Sequence, residues 1–300
     1  MSFALLFSGQ GAQHPAMFGW LPDDALPPAL HPLAGPDWRQ RLGDAAWAGR
    51  NAVAQPLITA CALAAWQRLE PSLGAPAAVA GYSVGELAAF CAAGVLGADT
   101  AIDLAQQRAA CMDEAARVEA TGLLGVSGLL PDAVEAICAA FGLQVAIRNG
   151  IDSVVLGGSR PSLADGARIA AEQGAKCTPL NVALASHTAW MAGASEAFER
   201  VLERVRFGPP TVPLFSNADG RIAAAGQARS ALARQISETV RWDECQDGIA
   251  SRQIDCVLEI GPGQALARLW NQRYPQVPAR SVDEFRSVRA VLDWVARHTG

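Results

Sequence analysis

Short apolar runs alternate with helical patterns through the first 120 residues of the chain. Residues 3–8 form an apolar run that ends in Gly9-Gln10-Gly11, which predicts a buried strand entering a tight loop. Residues 77–80 predict a second short strand. The predicted helices cover residues 55–69, 84–93 and 99–117. This alternation predicts an α/β fold, with a parallel sheet covered by helices on both faces.

The pattern between residues 120 and 185 follows a different order, β-α-β-β-α-β, which is typical of the ferredoxin-like fold. The predicted strands cover residues 123–129, 144–148, 153–156 and 176–182. The predicted helices cover residues 131–141 and 161–172, and Asn149-Gly150 predicts the turn of a hairpin. We therefore expect residues 120–185 to form a small domain inserted into a hydrolase-like α/β core of residues 1–119 and 186–300.

Composition narrows the class of protein. Hydrophobic residues make up 51% of the chain and charged residues 18%, which suits a large packed core and excludes a disordered chain. The net charge of −5 argues against a general nucleic-acid-binding surface. The seven cysteines form no CxxC motif, so no metal site is predicted, and we expect reduced thiols in a cytoplasmic protein. No apolar run is long enough for a transmembrane helix.

The sharpest local motif is Gly81-Tyr82-Ser83-Val84-Gly85, a G-x-S-x-G sequence between a predicted strand and a predicted helix. That context is the one that a nucleophile elbow requires. Ser83 is the candidate nucleophile, and the Val84 N–H would point to the place where an oxyanion forms. The alternative is a glycine-rich turn that contains an incidental serine.

A serine nucleophile needs a base, and the chain has four histidines. His14 and His31 each adjoin a proline, and His298 lies near the end of the chain. His187 lies where the inserted domain returns to the core, so elimination favours it as the base over a merely packed or exposed histidine. No acidic residue is singled out as its partner, which leaves a Ser-His dyad open.

Two further features leave alternatives open. Gly9-Gln10-Gly11 is either an ordinary turn or the source of a second oxyanion amide. Arg108 lies in the middle of a predicted helix, where a surface position is the simpler interpretation. If it is buried, it needs an anionic partner, and a substrate carboxylate would fit its bidentate guanidinium.

Taken together, these motifs resemble those of the malonyl-CoA:acyl-carrier-protein transacylases, in the same order over nearly the whole chain. The matching residues are Phe7-Ser8-Gly9-Gln10-Gly11-Ala12-Gln13, Gln55-Pro56, Gly81-Tyr82-Ser83-Val84-Gly85-Glu86, Gln107-Arg108, Met112, Ser186-His187, Asn217, Gln235, Val240-Arg241-Trp242 and Glu259-Ile260-Gly261-Pro262-Gly263. The resemblance implies a hydrolase-like α/β core with a ferredoxin-like insert, which agrees with the order of elements above.

The resemblance also implies a reaction. Ser83 would take malonyl from malonyl-CoA as an ester, and His187 would act as base and then as acid. Arg108 would pair with the free carboxylate of malonyl. The thiol of an acyl carrier protein, borne on a phosphopantetheine-type or CoA-like arm, would then accept malonyl in a ping-pong sequence.

The resemblance implies supporting roles as well. The amides of Gln10 and Val84 would form the oxyanion hole, and the backbone carbonyl of Gln235 would orient His187. Malonyl-CoA would be a substrate, with no tightly bound cofactor.

The chain departs from the fatty-acid-synthesis members of this family at three places. Tyr82 stands where they usually have His, Ser8 stands where Pro is common, and the segment of residues 22–36 looks shortened. These departures resemble the malonyl transferase (epsilon) subunit of malonate decarboxylase. The expected partners are then its carrier subunit and the other decarboxylase subunits. The alternative is a malonyl transacylase of fatty acid or polyketide synthesis.

Two other classes of protein compete with these. A serine thioesterase or hydrolase would use the same nucleophile, but α/β hydrolases place their histidine late in the chain, after an acidic residue. His187 lies well before the end of this chain. A non-catalytic docking subunit would need neither Ser83, His187 nor Arg108.

Overall fold

The structure, a computed structural model, describes residues 2–117 and 119–300, apart from the side chains of Asp23 and Ala29. Its strands are β1 (Phe3–Phe7), β2 (Ala78–Gly81), β3 (Thr121–Ser127), β4 (Gln144–Gly150), β5 (Ser153–Ser159), β6 (Lys176–Pro179), β7 (Leu214–Ser216), β8 (Gly220–Ile222), β9 (Val240–Arg241), β10 (Cys256–Ile260) and β11 (Ala279–Ser281). Its α-helices are α1 (His31–Ala34), α2 (Trp38–Arg41), α3 (Ala45–Ala48), α4 (Asn51–Leu73), α5 (Gly85–Ala92), α6 (Ala98–Ala115), α7 (Pro131–Phe141), α8 (Arg160–Glu172), α9 (Ala192–Leu202), α10 (Ala225–Arg234), α11 (Trp242–Ala250), α12 (Ala265–Arg273) and α13 (Val288–His298).

The larger sheet has the strand order β11-β10-β1-β2-β7-β8. Its strands run parallel except β8, which forms an antiparallel hairpin with β7 that the sequence analysis did not predict. The central strand β1 aligns Phe7 with Ile260 on one side and with Gly81 on the other. The loops that follow β1, β2 and β10 therefore emerge side by side at one edge of the sheet, where α/β folds place their sites.

The smaller sheet has the strand order β6-β3-β5-β4-β9. Its first four strands pair antiparallel, and α7 and α8 pack on them around a separate apolar cluster that includes Val134, Ile137 and Leu163. This arrangement confirms the predicted fold class, an α/β core with a ferredoxin-like insert. The boundaries at residues 120 and 185 stay a prediction.

Strand β9 comes from the core but belongs to the small sheet. It pairs parallel with β4, with Ile147 opposite Val240 and Arg148 opposite Arg241. A strand from the later part of the chain thus forms the edge of the smaller sheet, through backbone pairing with β4.

The hairpin turn of the insert differs from the prediction. Asn149 and Gly150 belong to β4, and the turn is formed by Ile151 and Asp152. A register shift between Arg148 and Gly150 extends β4, so that Gly150 pairs with Ser153. Asn149 therefore lies within a strand, where its side chain is available to the site.

Several predicted bounds also move. The predicted strand over residues 176–182 ends at Pro179, and helix α10 ends at Arg234. Gln235 is the C-cap of α10 and does not lie within a helix. The last carbonyls of a helix have no partner within it, so the Gln235 carbonyl is free to accept another donor.

Long apolar helices cover the core sheet. Helix α4 is buried along most of its length and starts at Asn51, four residues before the predicted start. Within residues 2–117 and 119–300, no helix combines the length and the apolar character needed to cross a membrane. The seven cysteines are free thiols.

We expect Gly85→Ala to destabilise the fold by about 3 kcal/mol, because overpacking at a backbone contact cannot be relieved by a side-chain rotation. A Cβ on Gly85 would lie 2.3 Å from the Phe7 carbonyl oxygen. Urea unfolding measures the change. The matched control is Gly226→Ala in α10, where a Cβ meets nothing within 4 Å. That change should raise stability by about 0.5–1 kcal/mol. Equal effects of the two substitutions would contradict the packing argument.

Candidate active site

The G-x-S-x-G segment forms a tight strand-to-helix turn. Ser83 adopts a left-handed conformation with φ of 55°. A Cβ on Gly81 would lie 2.2 Å from the backbone of Gly85, so the start of α5 can pack on the end of β2 only because residue 81 is a glycine. The turn has the geometry of a nucleophile elbow, as the sequence predicts.

Asn217 holds this turn from the strand β7 side. Its Oδ1 accepts the Ser83 N–H at 2.8 Å, and its Nδ2 donates to the Gly81 carbonyl at 2.7 Å. The two bonds fix both arms of the elbow, and they offset part of the roughly 1–3 kcal/mol that a left-handed non-glycine residue costs.

His187 lies against the serine. Its Nε2 is 2.8 Å from Ser83 Oγ, and its Nδ1 forms a short hydrogen bond with the Gln235 carbonyl. A carbonyl can only accept, so Nδ1 carries the proton and Nε2 presents its lone pair to the serine hydroxyl. Burial, and to a smaller extent the nearby Arg108 charge, lower the pKa of His187 to about 3, although the hydrogen bond to the Gln235 carbonyl opposes the shift. The imidazole is therefore neutral at neutral pH and able to accept a proton.

Arg108 is buried beside the pair, with 1% of its surface exposed, so the surface interpretation is wrong. One guanidinium nitrogen donates to Gln55 Oε1 at 2.8 Å, and the other lies 3.3 Å from both Ser83 Oγ and Gln235 Oε1. Its Nε has no hydrogen-bond partner. Burial lowers the pKa of Arg108 to about 10, so it remains a cation at neutral pH. A buried cation bonded only to neutral groups is a strong site for an anion.

Glu86, in the first turn of α5, is a buried carboxyl group close to the elbow. Its Oε1 accepts the Asn217 N–H at 2.6 Å, and its Oε2 has no partner. Burial raises the pKa of Glu86 to about 8, although the hydrogen bond from Asn217 and the charge of Arg108 oppose the shift. At neutral pH most Glu86 side chains are neutral, and the charge of Arg108 stays available to a ligand.

Two backbone amides complete the site. Val84 N–H begins α5 and Gln10 N–H follows β1, and neither donates to an acceptor in the part of the chain that the structure describes. The Gln10 side chain donates to the Gly49 carbonyl at 3.1 Å, which anchors its loop against the end of α3. The Ser83 N–H is already bonded to Asn217, whereas Gln10 and Val84 line the same cavity as Ser83 with their N–H groups unbonded among the described residues.

The site opens into two adjoining cavities. A cavity of about 190 Å³ is lined by five of the candidate site residues, namely Gln10, Ser83, Val84, Arg108 and His187. A cleft of about 570 Å³ lies next to it, between the core and the small domain. Four residues line both spaces: Gln10, Tyr82, Leu180 and Val182. A more open groove of about 900 Å³ along α13 contains none of the candidate site residues. Among the described residues, no cluster of His, Cys, Asp or Glu could hold a metal ion.

The structure therefore brings together all six residues singled out from the sequence: Gln10, Ser83, Val84, Arg108, His187 and Gln235. Sequence reasoning assigned no role to Gln55, Glu86 or Asn217, although each lies in a motif that carried the resemblance. The sequence feature that could have identified them is that each is a polar residue next to an otherwise apolar segment, and the structure buries all three.

An α/β core with a nucleophile elbow and a ferredoxin-like insert is the architecture expected of serine acyltransferases. Residues 46–292 match the acyl transferase domain family. The chain belongs to this family.

Named relatives cover almost all of the chain. It is 35% identical over 296 residues to the malonyl CoA-acyl carrier protein transacylase of Mycobacterium tuberculosis, covering 93% of this chain and 95% of that one. It is 30% identical to the protein of that name from Haemophilus influenzae, covering 98% and 99%. These relatives confirm the resemblance to malonyl-CoA:acyl-carrier-protein transacylases.

Solved structures agree. The malonyl CoA-acyl carrier protein transacylase of Coxiella burnetii superposes with a TM-score of 0.91 at 27% identity, covering 100% of this chain and 98% of that one. A malonyl-transacylase solved in complex with a type II PKS acyl-carrier protein has a TM-score of 0.84 at 28% identity, covering 98% and 99%. The finer resemblance to the malonate decarboxylase epsilon subunit finds no support among these proteins and stays a prediction.

Glu86 is expected to make the free energy of unfolding depend on pH. Burial raises its pKa from 4.5 to about 8, so the folded chain binds this proton more tightly than the unfolded chain. The stability that Glu86 contributes is fully present below about pH 4.5 and is lost as the pH rises through about 8. We expect the free energy of unfolding of Glu86→Gln to fall less steeply with pH than that of the wild type, by up to about 1.4 kcal/mol per pH unit.

Urea unfolding across the range between the two pKa values measures this slope. Glutamine keeps an acceptor for the Asn217 N–H, so the fold should tolerate the change. The control is Glu196→Gln, at an exposed position of α9, which should leave the slope as in the wild type. A slope unchanged by Glu86→Gln would show that the carboxyl group titrates alike in both states.

Proposed function

We propose that this protein transfers malonyl from malonyl-CoA to the thiol of an acyl carrier protein, through a malonyl ester on Ser83. The observation that carries the proposal is the buried Arg108 cation, which lies 3.3 Å from Ser83 Oγ and bonds only to neutral groups. An acyl group that bears a carboxylate suits this charge. The family and the names of the relatives support the same reaction.

Acylation begins at the Ser83 hydroxyl. His187 Nε2 accepts its proton while Oγ attacks the thioester carbonyl carbon, forming a tetrahedral oxyanion. The N–H groups of Val84 and Gln10 donate to that oxyanion. The carbon–sulfur bond then breaks, and the CoA sulfur leaves with the proton held on His187, giving free CoA and malonyl-Ser83.

The second half-reaction reverses these roles. His187 Nε2 accepts the proton of the carrier thiol, and the sulfur attacks the ester carbonyl. When the carbon–oxygen bond breaks, Ser83 Oγ takes the proton back from His187. The Gln235 carbonyl holds the Nδ1 proton in both halves, so the ring keeps one tautomer ready for each transfer. The two half-reactions follow one another in a ping-pong mechanism, which needs no tightly bound cofactor.

Arg108 also couples the acyl group to the base. Its positive charge is one of the causes that lower the pKa of His187. A malonyl carboxylate paired with Arg108 would offset that charge and make the imidazolium easier to form during proton transfer. An acetyl group would leave the buried cation unpaired, which explains selection for a carboxylated acyl group.

The larger cleft suits the arm that carries the thioester. Lys176 on the small domain and Arg268 on the core line it, and neither forms an ion pair with another described residue. Their charges suit the phosphates of CoA or of a phosphopantetheine-type arm.

The carrier protein is the finer part of the proposal. We retain the carrier subunit of malonate decarboxylase, with other decarboxylase subunits as partners, because of the departures at Tyr82 and Ser8. The structure gives both side chains distinct hydrogen bonds, from Tyr82 to Asn149 at 3.1 Å and from Ser8 to Glu259 at 2.7 Å. The alternative is the carrier of fatty acid or polyketide synthesis, which the names of the relatives support.

Intact-mass measurement after incubation with malonyl-CoA tests the proposal. We expect a malonyl adduct on the wild-type protein and none on Ser83→Ala, with transfer reduced at least about 10³-fold in that variant. Ser251→Ala, at an exposed turn, is the matched control and should keep the adduct. Free malonate accumulating without an adduct would indicate a thioesterase instead.

Adding purified carriers to the malonyl-enzyme tests the finer proposal. Discharge by the malonate decarboxylase carrier and not by the fatty acid carrier supports the decarboxylase role. The opposite result assigns the protein to lipid or polyketide synthesis. In either case the product is malonyl attached to the carrier thiol.

Arg108→Ala should reverse the acyl preference. We expect kcat/KM for malonyl-CoA to fall about 10²–10³-fold, because the carboxylate then enters a buried site without a cation, while acetyl-CoA loses far less. Steady-state kinetics with the two donors gives the ratio. Arg108→Gln, which keeps a donor near Gln55, guards against misfolding, and the exposed Arg200→Ala is the control. An unchanged malonyl-to-acetyl ratio in both Arg108 variants would contradict the role of the cation.

A further inference from the structure

Tyr82 occupies the boundary between the two cavities of the site. We use the term neck for the four residues that line both spaces, Gln10, Tyr82, Leu180 and Val182. A thioester that places its acyl group beside Arg108 and its arm in the larger cleft has to cross this neck. The side chains there therefore adjoin the bond that the reaction breaks.

The Tyr82 side chain joins the nucleophile elbow to the small domain. Its hydroxyl donates to Asn149 Oδ1 of β4 at 3.1 Å. The Asn149 carbonyl in turn accepts the Gln246 Nε2 of α11 at 3.2 Å. The Tyr82 ring packs edge-on against Trp242, with centroids 5.2 Å apart and planes at 75°. Burial raises the pKa of Tyr82, so its hydroxyl stays protonated and able to donate.

The backbone of Tyr82 supports the loop after β1. Its N–H donates to the Phe7 carbonyl at 2.9 Å. A Cβ on Gly9 would lie 2.8 Å from the Tyr82 carbonyl oxygen and 3.1 Å from its ring. The loop that presents the Gln10 amide thus rests directly on Tyr82. One residue therefore contacts the oxyanion loop, the small domain and α11.

We propose that Tyr82 is a specificity-determining positioning residue, whose hydroxyl bond to Asn149 sets the width of the neck. This inference rests on the proposed function. With the bond in place, the neck fits a thiol-bearing arm and limits the entry of water to malonyl-Ser83. Without it, the ring loses its tie to β4, the neck loosens, and the arm is held less well against the acyl ester. The Tyr82–Asn149 hydrogen bond affects whether a thiol or water attacks malonyl-Ser83, whereas Arg108 affects which acyl group is bound.

The test is the partition of the malonyl-enzyme between transfer to a carrier thiol and hydrolysis. This ratio does not depend on how much of a preparation is folded, so a merely structural defect would not move it. The variants are Tyr82→Phe, Asn149→Ala and the double variant, each loaded with malonyl-CoA and titrated with carrier. The chain has two tyrosines, and Tyr274→Phe is the matched control, since its hydroxyl bonds to Asp247 outside both cavities.

For Tyr82→Phe, the carrier concentration at which half of the malonyl groups are transferred and half are hydrolysed should rise about three- to tenfold. This is the range expected for the loss of one hydrogen bond. Asn149→Ala should shift the partition similarly, and the double variant should shift it no further than either change alone. Tyr274→Phe should match the wild type. The malonyl-to-acetyl ratio should stay unchanged in every variant.

Three results would overturn the inference: an unchanged partition in Tyr82→Phe, an equal shift in Tyr274→Phe, or fully additive effects of the Tyr82 and Asn149 substitutions. These results differ from a failure of the proposed function. If the wild-type protein forms no malonyl adduct, the transferase proposal fails and the role of Tyr82 fails with it. If the adduct forms and transfers normally, the partition in the variants decides on Tyr82 alone.

Discussion

The rest of the candidate site depends on a single positive charge, Arg108, which is buried beside Ser83. Arg108 has to be solvated by protein groups, and the structure supplies Gln55, Gln235 and the nucleophile itself for that purpose. The same charge makes His187 harder to protonate, and it opposes the rise in the pKa of Glu86 that burial causes. Because these groups share a poorly solvated space, a ligand carboxylate that neutralises Arg108 changes the energetics of all of them. In the reaction proposed above, substrate choice and proton transfer would therefore depend on the same buried charge.

The position of Ser83 depends on backbone geometry and not on charge. The elbow needs two glycines, because the start of α5 touches both β2 and the end of β1. Asn217 then uses its amide to hold Ser83 in a left-handed conformation, and its own N–H bonds to Glu86. The nucleophile is therefore positioned by neighbours that never need to contact a substrate. Its orientation depends on strand β7, far away in sequence.

The small domain is part of the same construction. Strand β9 adds a core segment to the inserted sheet, and the Tyr82–Asn149 bond connects that sheet to the elbow. The cleft between the core and the inserted sheet is lined by residues of both.

The sequence alone determined the alternation of strands and helices, the β-α-β-β-α-β order of the insert and the G-x-S-x-G turn, because these features depend on local hydrophobic period and turn chemistry. It also singled out Ser83 and His187, one through a motif and the other through scarcity. It predicted the hairpin turn at Asn149-Gly150, which is wrong because the register shift that extends β4 depends on its pairing with β5. Whether Arg108 was buried could not be decided locally. Only the tertiary structure, by packing α6 against α4 and beside the elbow, removed it from water and gave it Gln55 and Gln235 as partners, because burial depends on the elements that cover a helix face and not on that helix's own residues.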